Sequence, residues 1–172
     1  AAVYLNSIGN QFVWDDHFFI EGNTQIRSMK NIPSFFAEPS AGNLYRPVRT
    51  VVQSLMFQVG GLYPVAYHVH AILVYSAITL LIFYLLRTIT QNQVLSFLSA
   101  LFFAVHPLHT DRVANMTAAF DLWGIFFLLL ALYFWITKTA SIPGLKPEVF
   151  DVRFSGLKKS VLKTVVLNPT FS

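Results

Sequence analysis

Two long apolar stretches constrain the fold of this chain more than any other feature. Residues 63–86 carry His68 and His70 as their only strongly polar side chains, both near one end. At about 1.5 Å per residue, a helix of this length crosses a hydrocarbon core of about 30 Å. Residues 118–137 form a second such stretch, interrupted by Asp121 near its start. Both stretches are predicted to be membrane-spanning helices.

A third apolar stretch lies between them at residues 94–106, after a short polar turn at residues 87–93. So short a turn joins antiparallel neighbours, so this helix is predicted to pack beside the first one. It is shorter than the roughly 17–25 residues of an ordinary span, and is therefore either tilted or ends at a recessed site. The sequence thus predicts a three-span transmembrane region over residues 63–138.

The composition indicates that lipid is the main solvent of the chain. Hydrophobic residues make up 55% and charged residues 12%, about half the roughly 25% of charged residues in soluble domains. The predicted fold class is an all-α integral membrane protein, a multi-spanning helical bundle. The formal charge of +4 is scattered, which argues against nucleic acid as a partner and favours membrane lipids or phosphates. The absence of cysteine excludes disulfides and thiolate chemistry.

Residues 1–62 are predicted to form a long outer loop, because they hold most of the acidic groups together with glycine, asparagine and proline. Two segments of this loop, residues 31–36 and 49–59, are predicted to be short interfacial helices. A proline before the second segment and a glycine pair after it match the preferred start and end of a helix. The chain opens without a signal-peptide pattern, so we expect a further segment before it.

The topology follows from counting the membrane crossings. The outer loop and residues 106–117 share one face of the membrane. The turn at residues 87–93 shares the other face with residues 139–172, a lysine-rich amphipathic tail predicted to lie on the cytoplasmic surface. Because short positively charged loops face the cytoplasm, the polar clusters are predicted to face the periplasm of a bacterial inner membrane or the lumen of the endoplasmic reticulum.

An acidic pair, Asp15-Asp16, stands among aromatic residues in the outer loop. Adjacent carboxylates can divide their work, with one accepting a proton and the other holding a divalent cation or orienting an acceptor. The alternative is a solvated acidic turn or a helix cap.

Ionisable side chains are dense in the turn at residues 106–112, which contains His106, His109, Asp111 and Arg112. Such groups are costly at a membrane, so their density predicts a functional site. The candidates are a zinc or manganese site and a phosphate clamp, although the turn lacks the HExxH pattern of zinc proteases. Capping of interfacial helices is the structural alternative.

Several further polar residues are predicted to lie on the same outer face. Arg46 and Asp121 are candidates for substrate binding, and His68 and His70 are either site residues or interfacial side chains bonded to backbone. A glycosylation sequon begins at Asn115, but its closeness to a span argues against modification.

Taken in order, these motifs resemble the N-terminal half of the transmembrane and tetratricopeptide-repeat-containing O-mannosyltransferases and their prokaryotic relatives, which are GT-C membrane glycosyltransferases. The resemblance covers residues 12–137. The series comprises Asp15-Asp16, Tyr45-Arg46-Pro47, Gly60-Gly61-Leu62-Tyr63-Pro64, Tyr67-His68, Phe103-Ala104-Val105-His106-Pro107-Leu108-His109-Thr110-Asp111 and Asp121-Leu122.

The resemblance implies a glycosyltransferase whose donor is a sugar linked to a polyprenyl phosphate and whose acceptor is a protein hydroxyl. Asp15 or Asp16 would be the catalytic base or a ligand of a divalent metal, manganese or magnesium, with His106 and His109 as further candidate ligands. The remaining candidates would bind the donor phosphate or the acceptor: Arg46, His68, His106, His109, Asp111, Arg112 and Asp121.

The sequence departs from the family pattern at three positions. The family usually has an arginine where this chain has Ala119, and an asparagine and a histidine where it has Ala71 and Tyr75. A non-catalytic subunit of a larger membrane complex, derived from such an enzyme, is therefore the alternative. A transporter that relays protons through its histidines is weaker, because no charge lies in the middle of a span.

Overall fold

The computed structural model describes residues 2–140, and within that range the regular structure is helical, without a β-strand. This confirms the predicted all-α membrane protein. The chain divides into a compact unit, Ala1–Phe134, and a second unit, Trp135–Ser172. The prediction of an amphipathic tail concerns residues that, from 141 onward, lie outside the described part.

The predicted outer loop consists of short helices, and the two segments predicted to be helical are helices. Helix α1 covers Ile32–Phe35, and α2 covers Pro47–Gly60. Their interfacial position stays a prediction. A π-helical turn occupies His17–Glu21, and short 3-10 helices occupy Ala2–Gly9, Thr24–Arg27, Met29–Asn31 and Ala41–Asn43.

A glycine pair joins α2 to the first long helix, α3, at Pro64–Thr90. A Cβ atom on Gly60 would stand 2.5 Å from Cβ of Ala66, so this glycine allows α2 to approach α3 closely. Gly61 has φ 55° and ψ −123°, a conformation that only glycine adopts readily. Both glycines are therefore needed to fold α2 back against α3.

Helix α3 runs four residues further than the predicted end of the first span. The hydroxyls of Thr88 and Thr90 donate to carbonyls one turn earlier, and Gln91 ends the helix in the left-handed conformation. Asn92 then caps the next helix, α4 at Gln93–Val105, by accepting from the Leu95 amide. The polar side chains of the predicted turn thus lengthen and cap helices, and the turn itself is shorter.

The second span ends in a bend rather than a straight crossing. Helix α4 and the segment Pro107–Ala114 together are apolar and long enough to span, but they meet at 50°. A 3-10 turn at Pro107–His109 is followed by α5, Thr110–Ala114. The described part therefore has two candidate spans, Pro64–Thr90 and Met116–Thr139, and a third if the bent pair is one broken span.

The last predicted span begins with a short break. Helix α6 covers Met116–Ala119, and α7 covers Leu122–Ala140. Phe120 and Asp121 lie between them in a turn. This break puts the Asp121 carboxylate at the end of the helical stretch, where it remains partly exposed.

Candidate functional site

Three arginines, two at the start of α2 and one on α5, converge on Asp121. A side-chain nitrogen of Arg49, on the first turn of α2, lies 3.5 Å from the Asp121 carboxylate. Arg46 and Arg112 approach it to 4.0 and 3.9 Å. We call Arg46, Arg49 and Arg112 the arginine cluster. Arg112 also lies 3.9 Å from the Asp111 carboxylate, so three guanidinium groups face two carboxylates and keep an excess of positive charge and of hydrogen-bond donors.

Arg49 is the member that the sequence interpretation did not select as a site residue. Its side chain is only 10% exposed, and its guanidinium lies 5.2 Å from the centre of the Phe19 ring. Burial lowers the pKa of Arg49 below its usual value, while the charge of Asp121 opposes that shift. Asp15 also raises this pKa, so the acidic pair lies within electrostatic reach of the cluster. An arginine remains charged under such conditions.

The two carboxylates of the acidic pair occupy opposite environments. Asp15 is exposed, whereas Asp16 is completely buried. One Asp16 oxygen accepts hydrogen bonds from the amide and hydroxyl of Thr117, at 2.8 and 2.6 Å, and the other accepts from the Val13 amide at 3.2 Å. Asp16 therefore ties the outer loop to α6, and Asp15 is the exposed member of the pair.

The residues of the glycosylation sequon have structural roles in the fold. The side-chain oxygen of Asn115 caps α6 by accepting from the Ala118 amide at 3.1 Å, and Thr117 is buried against Asp16. These contacts explain the sequence pattern without glycosylation.

A polar cleft of about 480 Å³ lies beside Asp15. Trp14 stands at its edge with an 88% exposed side chain and a left-handed backbone (φ 49°). The cleft is lined by Asn10, Val13, Trp14, Asp15, Thr110, Asp111, Ala114 and Asn115. It joins the acidic pair to the turn at residues 106–112, as the predicted topology requires.

An apolar groove of about 640 Å³ runs along α2, α3 and α7. Met56, Leu73 and Phe126 represent the three helices in its wall. His70 and Trp123 also line it, and the indole N–H donates to Nε2 of His70 at 2.8 Å, whereas Nδ1 of His70 is buried without a partner among the described residues. The hydrogen bond of His70 is thus to a side chain, not to backbone.

His106 and His109 pack among aromatic rings. The His109 ring lies 4.3 Å from the ring of Phe103 and 5.8 Å from that of Tyr75. Nδ1 of His106 accepts from the Leu108 amide at 3.2 Å, which caps the 3-10 turn. The predicted 106–112 cluster is therefore divided, because Asp111 and Arg112 face the cleft and the arginine cluster while these histidines have aromatic neighbours.

His68 is completely buried near the start of α3. Within residues 2–140 neither of its ring nitrogens forms a hydrogen bond. It lines neither the polar cleft nor the apolar groove.

The predicted metal ligands do not converge in the described part of the chain. Among residues 2–140, no three histidine, aspartate or glutamate side chains lie close enough together to hold a metal ion. Asp16 and His106 each use side-chain acceptors to bind backbone amides.

Comparison with known proteins gives one consistent group of relatives. The chain is 30% identical to protein O-mannosyl-transferase TMTC2 of Mus musculus over 144 residues, which are 78% of this chain and 17% of that protein. It is 30% identical to protein O-mannosyl-transferase TMTC1 of Homo sapiens over 139 residues (74% and 16%). For TMTC3 of Mus musculus the identity is 29% over 140 residues (76% and 15%).

The chain thus spans less than a fifth of the length of these relatives. No protein-family model matches it, and no solved structure matches it at a significant level. The relatives confirm the resemblance predicted from the ordered motifs.

Proposed function

We propose that this chain, which resembles part of the protein O-mannosyl-transferases, contributes the donor site and the catalytic base of a glycosyltransferase. The enzyme would move a sugar from a polyprenyl-phosphate donor to a protein hydroxyl at the periplasmic or lumenal face. The observation that carries the proposal is the convergence of the arginine cluster on Asp121, together with the cleft that holds Asp15 beside Asp111, the neighbour of Arg112.

The arginine cluster would bind the donor phosphate. As the bond between the anomeric carbon and the phosphate oxygen breaks, negative charge accumulates on the leaving phosphate, and prearranged guanidinium groups stabilise it. Asp121 holds the three side chains in place through its contacts at 3.5–4.0 Å. Asp121 and Asp111 together balance two of the three guanidinium charges, so the cluster stays net positive and able to attract an anion.

The apolar groove supports a lipid as the carrier of that phosphate. On α2, Met56 follows Arg49 by two helical turns, so the two residues share one face. Met56 lines the groove, and Arg49 belongs to the arginine cluster. On the other wall, Asp121 and Trp123 are two residues apart. A molecule with a phosphate head and an apolar chain would satisfy both surfaces at once.

Asp15 would be the base. In a direct displacement its carboxylate takes the proton of the acceptor hydroxyl, the freed oxygen bonds to the anomeric carbon, and the electron pair of the broken bond stays on the phosphate. Exposure makes Asp15 available for this step, whereas Asp16 already accepts three hydrogen bonds. The participation of manganese or magnesium stays a prediction, and no step here depends on a metal.

The experiment is sugar transfer by the full-length protein in membranes. We expect Asp15→Asn and Arg49→Gln to abolish most transfer. Glu38→Gln and Arg87→Gln are the matched controls. Both charges are exposed; Glu38 lies in the loop that follows α1, and Arg87 lies in the last turn of α3. Full transfer by both site variants, at normal protein levels, would contradict the proposal.

The second candidate is a non-catalytic subunit, and Ala119 favours it. The related enzymes usually carry an arginine here, but Ala119 is completely buried in a core with Tyr75 and Leu122. An arginine would not fit without opening that core. Transfer that persists in all four variants, together with co-purification of partner subunits, would support this candidate.

A further inference from the structure

We propose that the polar cleft binds the sugar ring of the donor through Asp111 and Asn115. The inference rests on the proposed function and makes it more specific, because it assigns Asp111 to binding the sugar rather than the phosphate.

The lining of the cleft matches a polyhydroxylated ring better than a phosphate. Asp15 and Asp111 present carboxylates, Asn10 and Asn115 present carboxamides, and Thr110 presents a hydroxyl. Sugar hydroxyls both donate and accept, so they can satisfy carboxylate acceptors and amide donors together. A phosphate offers acceptor oxygens and negative charge, and the two carboxylates would repel it.

Asn115 is held in a fixed position for this role. Its side-chain oxygen accepts from the Ala118 amide at 3.1 Å and thereby caps α6. Its NH2 group is the part of the side chain left to donate into the cleft. A side chain fixed by a cap can select among hydroxyl orientations, since it loses little freedom on binding.

Trp14 adds an apolar surface at the edge of the cleft. Its backbone is held by the neighbouring Asp16, whose carboxylate accepts from the Val13 amide and whose own amide donates to the Val13 carbonyl at 2.9 Å. The indole can cover the apolar face of a sugar ring while its rim remains wet. The cleft therefore offers both hydrogen bonds and a stacking surface.

Arg112 connects the cleft to the arginine cluster. It lies 3.9 Å from the carboxylate of Asp111 on the cleft side and 3.9 Å from that of Asp121 in the cluster. In a sugar phosphate the ring is bonded directly to the phosphate oxygen, so the two groups need adjacent sites. Asp15 lines the same cleft, which brings the base next to the ring.

Binding of two lipid probes to the full-length protein in nanodiscs tests the inference. Mannosyl farnesyl phosphate carries both sugar and phosphate, and farnesyl phosphate lacks the sugar. We expect Asp111→Asn and Asn115→Ser each to weaken binding of the first probe about tenfold, as loss of a hydrogen bond near a charge does. Asn115→Ser keeps a capping oxygen and removes the NH2 donors without adding a charge.

Binding of farnesyl phosphate should not weaken in either variant, because neither adds negative charge beside Arg112, and retained binding also shows that they are folded. Equal weakening of both probes would overturn the inference while the proposed function stands, because Asp111 would then serve the phosphate. An unchanged donor affinity with a raised KM for the acceptor would also overturn it, since the cleft would then bind the acceptor. Failure of the unmodified protein to bind either probe would overturn the proposed function itself.

Discussion

The arginine cluster and the histidine-rich part of the same outer region both hold residues that the sequence marks as candidates, yet the fold treats them differently. Arg46 and Arg49 at the start of α2 and Arg112 on α5 meet at one partly exposed carboxylate. His106 and His109 are near neighbours in the chain, but their rings pack against aromatic side chains. Density of ionisable groups along a sequence is therefore a poorer guide than convergence of distant groups in space.

The same contrast divides the acidic pair, and its test has the largest expected effect. We expect Asp15→Asn to lower kcat by about a hundredfold to ten-thousandfold, the usual contribution of a general base, with little change in thermal stability. Asp16→Ala leaves the Val13 and Thr117 donors unpaired, and should lower the free energy of unfolding by about 3 kcal/mol or more. Transfer kinetics and thermal unfolding in detergent measure the two effects.

A stable Asp16→Ala protein with normal transfer would remove the distinction between the two carboxylates. So would an Asp15→Asn protein that unfolds at a lower temperature, because Asp15 would then have a structural role. Glu38→Gln is the control for removing an exposed carboxylate.

A substitution in the arginine cluster that keeps the charge but loses the guanidinium geometry should reduce activity less than Asp15→Asn does. Lysine cannot reproduce the planar fork of donors, so we expect Arg49→Lys to lower kcat/KM for a lipid-phosphate donor about tenfold. Arg87→Lys, at the far end of α3, is the control and should have no effect. An unchanged kcat/KM in Arg49→Lys would mean that charge alone, rather than a directed guanidinium, serves the phosphate.

How much of this could be predicted depends on the range of the interactions involved. The spans follow from apolar runs, and the bounds of α2 follow from Pro47 and Gly61, because these signals are local. Which member of the acidic pair is exposed depends on Thr117, about a hundred residues away along the chain. The contact of Arg49 with Asp121 is also long-range, since 72 residues separate the two in the chain. Periodicity and spacing report neighbours within a helix, and they carry no information on such contacts.

Arg49 does carry one local sequence signal. Together with Arg46 it repeats positive charge at helical spacing at the start of α2. This pattern does not distinguish a solvent-facing arginine from one that faces the protein. The side-chain exposure of Arg49, 10%, shows that it faces the protein.

A substitution in the apolar groove should have an intermediate to small effect on the kinetics of transfer. Leu73→Trp places a larger side chain in the groove wall, so we expect the KM for a farnesyl-phosphate-linked sugar to rise about threefold to tenfold, as crowding of an apolar pocket does. Leu80→Trp is the matched control, because Leu80 is similarly exposed on α3 and lies outside this groove. Equal kinetics in both variants would show that the lipid chain does not use the groove.

The histidine-rich turn should give the smallest effect, and it tests the other half of the comparison. His109→Phe keeps an aromatic ring against Phe103 and Tyr75 but removes both nitrogens. If His109 acts through packing, transfer should stay within about twofold of normal and stability within about 0.5 kcal/mol, as for replacements that preserve contacts. His109→Ala, which loses the packing, should be less stable. A large loss of transfer in a stable His109→Phe protein would instead indicate that the imidazole takes part in donor binding. It would mean that the histidines approach the phosphate when substrate is bound.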